Sequence, residues 1–563
     1  MNKKNDTYTV NLFPFANLDN VLQDNGVVPD DAILNTVAVC FSGGGSRALS
    51  AAMGQLRGLT HLGLIEKTQL ISGVSGGAWA STLYSYVPES ISDDQLLGEV
   101  CADPGKLTWN SHAGDPIACT LDKLPEHNLG TLPGNMSILG LGKEAIEMWR
   151  KGIPKNEIWV RLVGKYIFQP YGLYSGYGTS KYFTWNETWF NELIADNNPA
   201  LNINDFYIFP TDRYRPSLLI YGSLIPDQKK GDYELLPVVL SPYFSGVIPE
   251  FPKAGTGGED IGGGGVDSFG FNSYRLKGVD TRLQTVDIPQ NNFSLADMAG
   301  ISSSFFAELI NSKYTKFKSL TPEYTYWPVM NVDQNSSIPY SFADGGNLDN
   351  SGVASMLRQR MRNIISFVNS STRLSYDKDT LSVVVDSQIP PLFGYQPYTQ
   401  GHGYVKYTEP LLDPSYAAYK GNKVFEYEDF SSLLTALWDA YTAGGTAMCY
   451  QENIAVCKNA KFGVLDGTVH MLWVYNNMVT KWRDKLSDYV KIGMVADPLL
   501  YGEFPNYAKE NIGLSARQVN LLAHLSCWNI ISDNTAGNPN GKTNADIFKN
   551  MYAPKEKSTG QTR

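Results

Sequence analysis

Long apolar runs are missing from this chain. No segment approaches the roughly 18 consecutive apolar residues that a membrane-spanning helix needs. The first residues after Met1 carry lysines but no apolar signal core and no cleavage site. Cysteine is scarce, with six in 563 residues. The six form no zinc pattern, and no stretch has the spacing of a calcium loop, so neither a metal nor another cofactor is expected. Cys101/Cys119 and Cys449/Cys457 are each close enough to pair, which leaves a secreted form open beside the default expectation of a cytoplasmic protein. Positive charge is in deficit: 46 Lys and Arg face 56 Asp and Glu, a net charge of −10. That balance argues against nucleic acid as a partner. It also offers no general attraction to anionic membranes, so any peripheral membrane contact has to be local and apolar. The chain carries no signal for an oligomeric state.

Glycine, by contrast, is concentrated where it matters. Val37–Arg47 reads VAVCFSGGGSR and Leu70–Trp79 reads LISGVSGGAW. Each is a short apolar strand, then a glycine-rich turn, then the start of a helix. The second turn puts Ser75 at the apex of a Gly-x-Ser-x-Gly elbow, where the chain reverses so tightly that small neighbours are required. The first turn bares its backbone N–H groups and opens a helix N-terminus, which favours negative charge. Without Gly-Lys-Ser/Thr behind it, the turn is not a P-loop, and its spacing does not fit a dinucleotide-binding loop. A nucleophile on one turn and oxyanion donors on the other are what acyl transfer from an ester needs.

A serine nucleophile needs a base, and histidine is as scarce as cysteine, with six in the chain. None sits in a glycine-rich or strand-end context. His61 falls on the helix after the first turn. His524 comes late enough for the order Ser, Asp, His of α/β-hydrolases, but its neighbours read as an apolar helix face. The better candidate is Asp344, in Ser341–Gly346 (SFADGG), at the end of a short apolar segment and followed by two glycines.

Taken together and in this order, Ser42–Arg47, Gly73–Gly77 and Asp344–Gly346 resemble the catalytic domain of the cytosolic phospholipase A2 and fungal phospholipase B (lysophospholipase) family, relatives of the patatins. The flank Gly73–Tyr84 is similar too, as are weaker echoes at Trp159–Gly164, Leu240–Tyr243 and Gly300–Phe306, so the likeness covers about residues 35–370. It implies hydrolysis of carboxylic esters of phospholipids or lysophospholipids by a Ser75–Asp344 dyad through an acyl-enzyme, without histidine. It further implies Gly44 and Gly45 as the oxyanion hole, and Arg47 as the contact to substrate phosphate unless that arginine is only a structural ion pair. An additional phosphate-binding arginine is implied among Arg358, Arg360 and Arg362. The stretch ahead of the first motif is too short for the calcium-binding C2 domain of the animal enzymes, so calcium-driven recruitment is not expected. The alternatives are a neutral-lipid esterase with a Ser-His-Asp triad using His524 or His402, and a lipid-binding relative without turnover.

The expected fold is α/β: a central, mostly parallel sheet flanked by helices, with an inserted cap. Along the chain this gives a polar N-terminal leader over 1–34, one discontinuous catalytic domain over 35–553 with the cap at about 100–290, and a flexible tail over 554–563. Within the cap, Tyr171–Trp185 mixes aromatics with glycine, as a lid or as a packed surface loop would. The glycine-rich run Gly255–Gly265 reads as a flexible connection back to the core.

Overall fold

Val37–Phe41 is apolar at every position and buried at every position, as a strand covered on both faces must be. It lies at the centre of a sheet in the computed structural model. That structure describes residues 6–18, 23, 36–226, 235–255, 258–276, 282–289, 291–307, 309, 320–329 and 337–553. Among these residues the sheet has 14 strands. In chain order they are β1 (Asp6–Pro14), β2 (Val37–Phe41), β3 (Thr68–Gly73), β4 (Ser217–Leu224), β5 (Leu236–Leu240), β6 (Ser245–Gly246) and β7 (Gly264–Val266). Then follow β8 (Tyr274–Arg275), β9 (Leu283–Ile288), β10 (Glu323–Tyr326), β11 (Ile338–Asp344), β12 (Asn363–Val368), β13 (Met448–Val456) and β14 (Gly467–Tyr475).

The strands stand in the order β8-β9-β1-β7-β6-β5-β4-β3-β2-β12-β14-β13, with β11 also on β4 and β10 on β11. The expected α/β architecture is present. Parallel pairing holds the middle, β4-β3-β2-β12-β14, and antiparallel wings extend it on both sides. The division follows from the connections: long excursions carrying helices separate the parallel strands, whereas short links such as that between β13 and β14 return the chain antiparallel.

Register decides where the motifs meet. Phe41 is level with Gly73 across the β2–β3 pair, and Gly73 with Ile220 across β3–β4. The two glycine turns therefore leave the sheet side by side. Beyond Gly73 the edge of β4 is vacated by β3, and β11 takes it over in the antiparallel sense, with Asp344 opposite Gly222. Asp344 thus arrives beside the second turn although 269 positions of sequence numbering (344 − 75) separate it from Ser75.

Three of the sequence expectations need correction. The stretch read as a polar leader contains β1, which pairs with β7 and β9 and buries Val10, Leu12 and Phe13; its first four residues, Asp6–Thr9, are exposed or half-buried, and this masks the strand. The interval read as a cap returns to the main sheet at Ser217, so β4 to β9 belong to the core rather than to an insertion. Within Gly255–Gly265, Gly264 and Gly265 form buried β7 pairs with Pro14 and Phe13, because a strand this close to its neighbours has no room for side chains. In Tyr171–Trp185, Tyr171, Leu173, Tyr182 and Phe183 are buried, and Tyr182–Phe183 pairs with Phe206–Tyr207, so the segment is a packed loop. The tail 554–563 lies outside the described residues. Cys101 and Cys119 are bonded, while Cys449 and Cys457 are free thiols. No helix among the described residues is long and apolar enough to cross a membrane.

Four helices frame the motifs: α1 (Gly45–His61), α2 (Gly76–Tyr86), α3 (Leu295–Ser302) and α4 (Ala516–Ile531). Helix α1 is buried from Gly45 to Leu59 and lies against α4 through Gly54, where an added Cβ would stand 2.1 Å from the carbonyl oxygen of Ala523. Gly54→Ala gains about 1 kcal/mol of helix propensity. It must also force two helices apart against backbone, an overpacking cost of about 1–3 kcal/mol or more. The expected outcome is a lower melting temperature despite the better helix former, measured by calorimetry; a rise would show that the contact yields.

Candidate active site

The first turn runs from Phe41 at the end of β2 into α1. Gly44 has φ +143° and Gly45 φ +57°, conformations that side chains rarely adopt. Gly43 donates its N–H to the carbonyl of Asn350 at 3.2 Å, whereas the N–H groups of Gly44 and Gly45 meet no acceptor among the described residues. As the first groups of a helix they have no intrahelical partner and remain aimed outward.

The second turn runs from Gly73 into α2. Ser75 at its apex has φ 52° and ψ −119°, a strained backbone for a residue with a side chain, costing about 1–3 kcal/mol. Its surroundings hold it there. The Ser75 N–H donates to Ser302 Oγ at 3.0 Å, and that hydroxyl donates to the Tyr221 carbonyl at 2.6 Å. Trp79 donates its backbone N–H to the Ser75 carbonyl at 3.1 Å and its indole N–H to Ser303 Oγ at 3.0 Å. The end of α3 therefore clamps the elbow. The hydroxyl of Ser75 makes no hydrogen bond among the described residues.

The two turns touch backbone to backbone. A Cβ on Gly76 would lie 2.1 Å from the Gly45 carbonyl oxygen, and one on Gly43 would lie 2.9 Å from Ser75 Cβ. This contact requires the small neighbours, beyond the tightness of each turn alone.

Asp344 closes the third side. It is buried, with Oδ1 accepting the Gly346 N–H at 2.8 Å and Oδ2 accepting the Phe305 N–H at 3.2 Å. Ser75, Asp344, Gly44, Gly45 and Arg47 all line one cavity of about 180 Å³. Phe305, Phe306, Asn350, Asp386, Tyr419 and Lys509 complete much of its wall. Trp79 and Trp159 pack on Phe306, with ring centroids 5.6 and 5.9 Å away, and hold it under the first turn.

Arg47 is 3% exposed and makes no carboxylate ion pair among the described residues. Its Nε donates to the Asn369 carbonyl at 3.0 Å and its Nη1 to the Tyr507 carbonyl. Burial pulls its pKa down to about 10, against the opposing field of Asp386. Arg47 therefore stitches the first turn to a distant segment while lining the cavity. Its expected companions are elsewhere: Arg358 lies over the Phe15 ring, and Arg360 and Arg362 line a separate cavity beside Asp466. The second cation in the wall is Lys509, exposed, with Nζ 4.0 Å from the Phe305 ring centroid. It lies past residue 370, where the motifs end, so sequence carried no signal for it. No histidine lines the cavity. His402 is on an exposed loop, and His524 is buried on α4 beside Arg57 in another cavity.

No family model matches the chain. A short local match runs to human cytosolic phospholipase A2 zeta, 50% identical over 62 residues, which is 11% of this chain and 7% of that protein. A second runs to human cytosolic phospholipase A2 beta, 43% identical over 65 residues, 12% of this chain and 8% of that protein. Among solved structures, human GIVD cytosolic phospholipase A2 superposes with a TM-score of 0.43 at 13% identity, covering 95% of this chain and 63% of that one. Its complex with methyl gamma-linolenyl fluorophosphonate gives 0.40 at 13% identity, covering 95% and 61%. The chain thus spans less than two thirds of each of these relatives.

The two cations should separate in their effect on folding. Arg47→Ala strips a buried donor from two carbonyls, at about 1–3 kcal/mol for each group left unsatisfied. Lys509→Ala, at an exposed position, should stay within about 0.5 kcal/mol of wild type. Denaturant unfolding of both variants checks this, and equal stabilities would mean that Arg47 does not anchor the Tyr507 segment.

Proposed function

We propose that this chain is a serine-type lipid ester hydrolase acting on phospholipids or lysophospholipids through Ser75 and Asp344. The observation that carries the reading is the shared cavity: a strained, clamped serine, a buried aspartate, and two glycines whose N–H groups meet no acceptor among the described residues line the same small volume. Phospholipase A2 is also the activity named in the local sequence relatives.

In this reading Ser75 Oγ attacks the ester carbonyl carbon and its proton passes to an Asp344 carboxylate oxygen. The negative charge that develops on the carbonyl oxygen is met by the N–H groups of Gly44 and Gly45. Collapse of the tetrahedral species breaks the bond to the leaving alcohol, which takes the proton from Asp344 and departs. Water then attacks the acyl-enzyme with Asp344 again as base, and Ser75 is regenerated with release of the carboxylic acid. A carboxylate of ordinary pKa, near 4, is a weak base for a hydroxyl. An acyl chain filling the cavity would exclude water and strengthen it. The two backbone N–H groups on Asp344 keep it oriented while the proton moves. Arg47 and Lys509 supply the positive field for a substrate phosphate, and Asp386 offsets part of that field. The absence of histidine from the cavity wall counts against the triad alternative.

A lipid substrate must be reached at a surface. The helix Asp488–Ala496 and the turn Pro498–Tyr501 expose Tyr489 at 53%, Ile492 at 66%, Val495 at 78% and Leu499 at 95%. Spacings of three residues put Tyr489, Ile492 and Val495 near one another on the first helix, and Leu499 follows on the turn past the break at Asp497. Lys509, in the cavity wall, follows these residues in the chain, and exposed apolar side chains of this kind are suited to rest on lipid. Lys481 and Lys485, next to the stripe in sequence, suit lipid phosphates.

Ser75→Ala and Asp344→Ala should each abolish nearly all ester hydrolysis, with the double variant little worse, because members of one catalytic unit are not additive. More than a tenth of wild-type activity in Asp344→Ala would mean that another group is the base. Combining Val495→Asp with Leu499→Asp should cut hydrolysis of vesicle phospholipid about tenfold, equivalent to about 1.4 kcal/mol of lost surface binding. Hydrolysis of a soluble short-chain ester by that variant should stay unchanged. Parallel losses on both substrates would mean the stripe serves folding or assembly instead.

A further inference from the structure

The larger of the two cavities on α1 is not the one at Ser75. Toward the C-terminal end of α1, some 12 residues on from Gly45 and so about 18 Å along the axis, Arg57 lines a cavity of about 370 Å³. Its other walls come from α4, from the short helix Asp93–Leu97 with the residues flanking it, and from the segment over 117–128.

Arg57 is 5% exposed, yet no carboxylate pairs with it among the described residues. Its Nε and Nη2 both donate to one backbone carbonyl, that of Leu97, at 2.8 and 2.5 Å. Its Nη1 meets no acceptor among the described residues. A guanidinium taken out of water and given one carbonyl dipole is undercompensated, since buried charges are ordinarily paired. Gly98 lies against it so closely that a Cβ there would be 2.8 Å from Nη2, which fixes the guanidinium in place. Beside it, His524 is buried on α4 and its ring makes no hydrogen bond among the described residues. Burial, and secondarily the Arg57 charge, push the His524 pKa well below 6.5, so the ring is neutral and brings an N–H donor without a second charge. Asn520 Nδ2 donates to the carbonyls of Leu121 and Lys123 at 3.0 and 2.7 Å and thereby holds that wall against α4.

Of the exposed charges in the wall, Lys123 stands against Asp94 and Glu99, so Arg57 brings the wall to neutrality and is the one buried cation in it. Ile117, Ala118 and Pro125 give one side an apolar lining. We propose that this cavity is a second binding site, for a small acid whose oxyanion head, a carboxylate or a phosphate, is held by Arg57 Nη1 and the His524 ring N–H, with an apolar stem along Ile117 and Pro125. The site is separate from the cavity at Ser75 and does not depend on the hydrolytic reading.

Calorimetric titration of the full chain with sodium octanoate and, separately, with inorganic phosphate tests the site. Three variants accompany the wild type. Arg57→Gln removes the charge; Ala118→Trp fills the cavity and leaves the guanidinium untouched, so it still decides the matter if Arg57→Gln does not fold. Lys509→Ala removes the exposed cation of the Ser75 cavity. Binding of at least one probe by wild type and by Lys509→Ala alike, weakened tenfold or more by Ala118→Trp and by any folded Arg57→Gln, supports the site. Octanoate alone would identify a carboxylate with a hydrocarbon stem, and phosphate alone a phosphoryl head. The proposal is overturned if neither probe binds, if Ala118→Trp binds as wild type does, or if Lys509→Ala loses the binding.

Discussion

The close approach of two glycine turns at the ends of β2 and β3 is the constraint from which the rest of the site follows. Gly76 lies on the Gly45 carbonyl and Gly43 on Ser75 Cβ at distances that leave no space for another side chain. Because β2 and β3 are adjacent and parallel, with Phe41 level with Gly73, their turns must emerge together. Only bare backbone lets one turn lie this close to the other. The strain at Ser75 is held by hydrogen bonds from α3, so the elbow depends on a helix that follows it by more than two hundred residues.

A second consequence of the same register is the place of Asp344. β3 stops at Gly73, β4 continues, and the exposed ladder of β4 must find another partner. β11 supplies it and ends at the aspartate. Ser75 and Asp344 are thus placed at strand ends fixed by the sheet, while segments outside the sheet supply Phe305, Asp386 and Lys509 to the rest of the wall. For the reaction proposed at Ser75 and Asp344 rigid placement matters, because proton transfer between hydroxyl and carboxylate tolerates little misalignment.

Helix α1 links the two cavities. Its first residue supplies one of the outward N–H groups at Ser75, and Arg57 near its other end lines the second cavity. Between them Gly54 seats the helix on α4 with no clearance. The C-terminal third of the chain therefore does more than cover the core. It buttresses α1 through α4, receives Arg47 at the Tyr507 carbonyl, accepts Ser46 Oγ at the Ile512 carbonyl at 2.5 Å, and contributes Lys509.

Local sequence was enough to mark the strand-turn-helix units, the α/β class, and Gly44, Gly45, Ser75 and Asp344, and the family resemblance carried by the same motifs added Arg47; all five line one cavity. Each sits in a short motif whose chemistry is local: a tight turn needs glycine, a buried strand needs an apolar run, and a positioned carboxylate at a strand end needs small neighbours. Tertiary structure alone decided what depends on contacts between distant segments. Strand β1 was hidden in a polar stretch because its first half is exposed or half-buried and only Val10, Leu12 and Phe13 are buried. Strands β4 to β9 passed for an insertion because β5 to β9 are mostly short, antiparallel strands with little periodic signal, and the parallel pairing of β4 with β3 spans more than a hundred residues. Lys509 and the carbonyl of Tyr507 lack any motif, and they meet Arg47 only because the chain folds back across α1. The buried charge of Arg57 is likewise invisible on an amphipathic helix. An arginine at that spacing looks solvated until the helix packed against it shows where water is excluded.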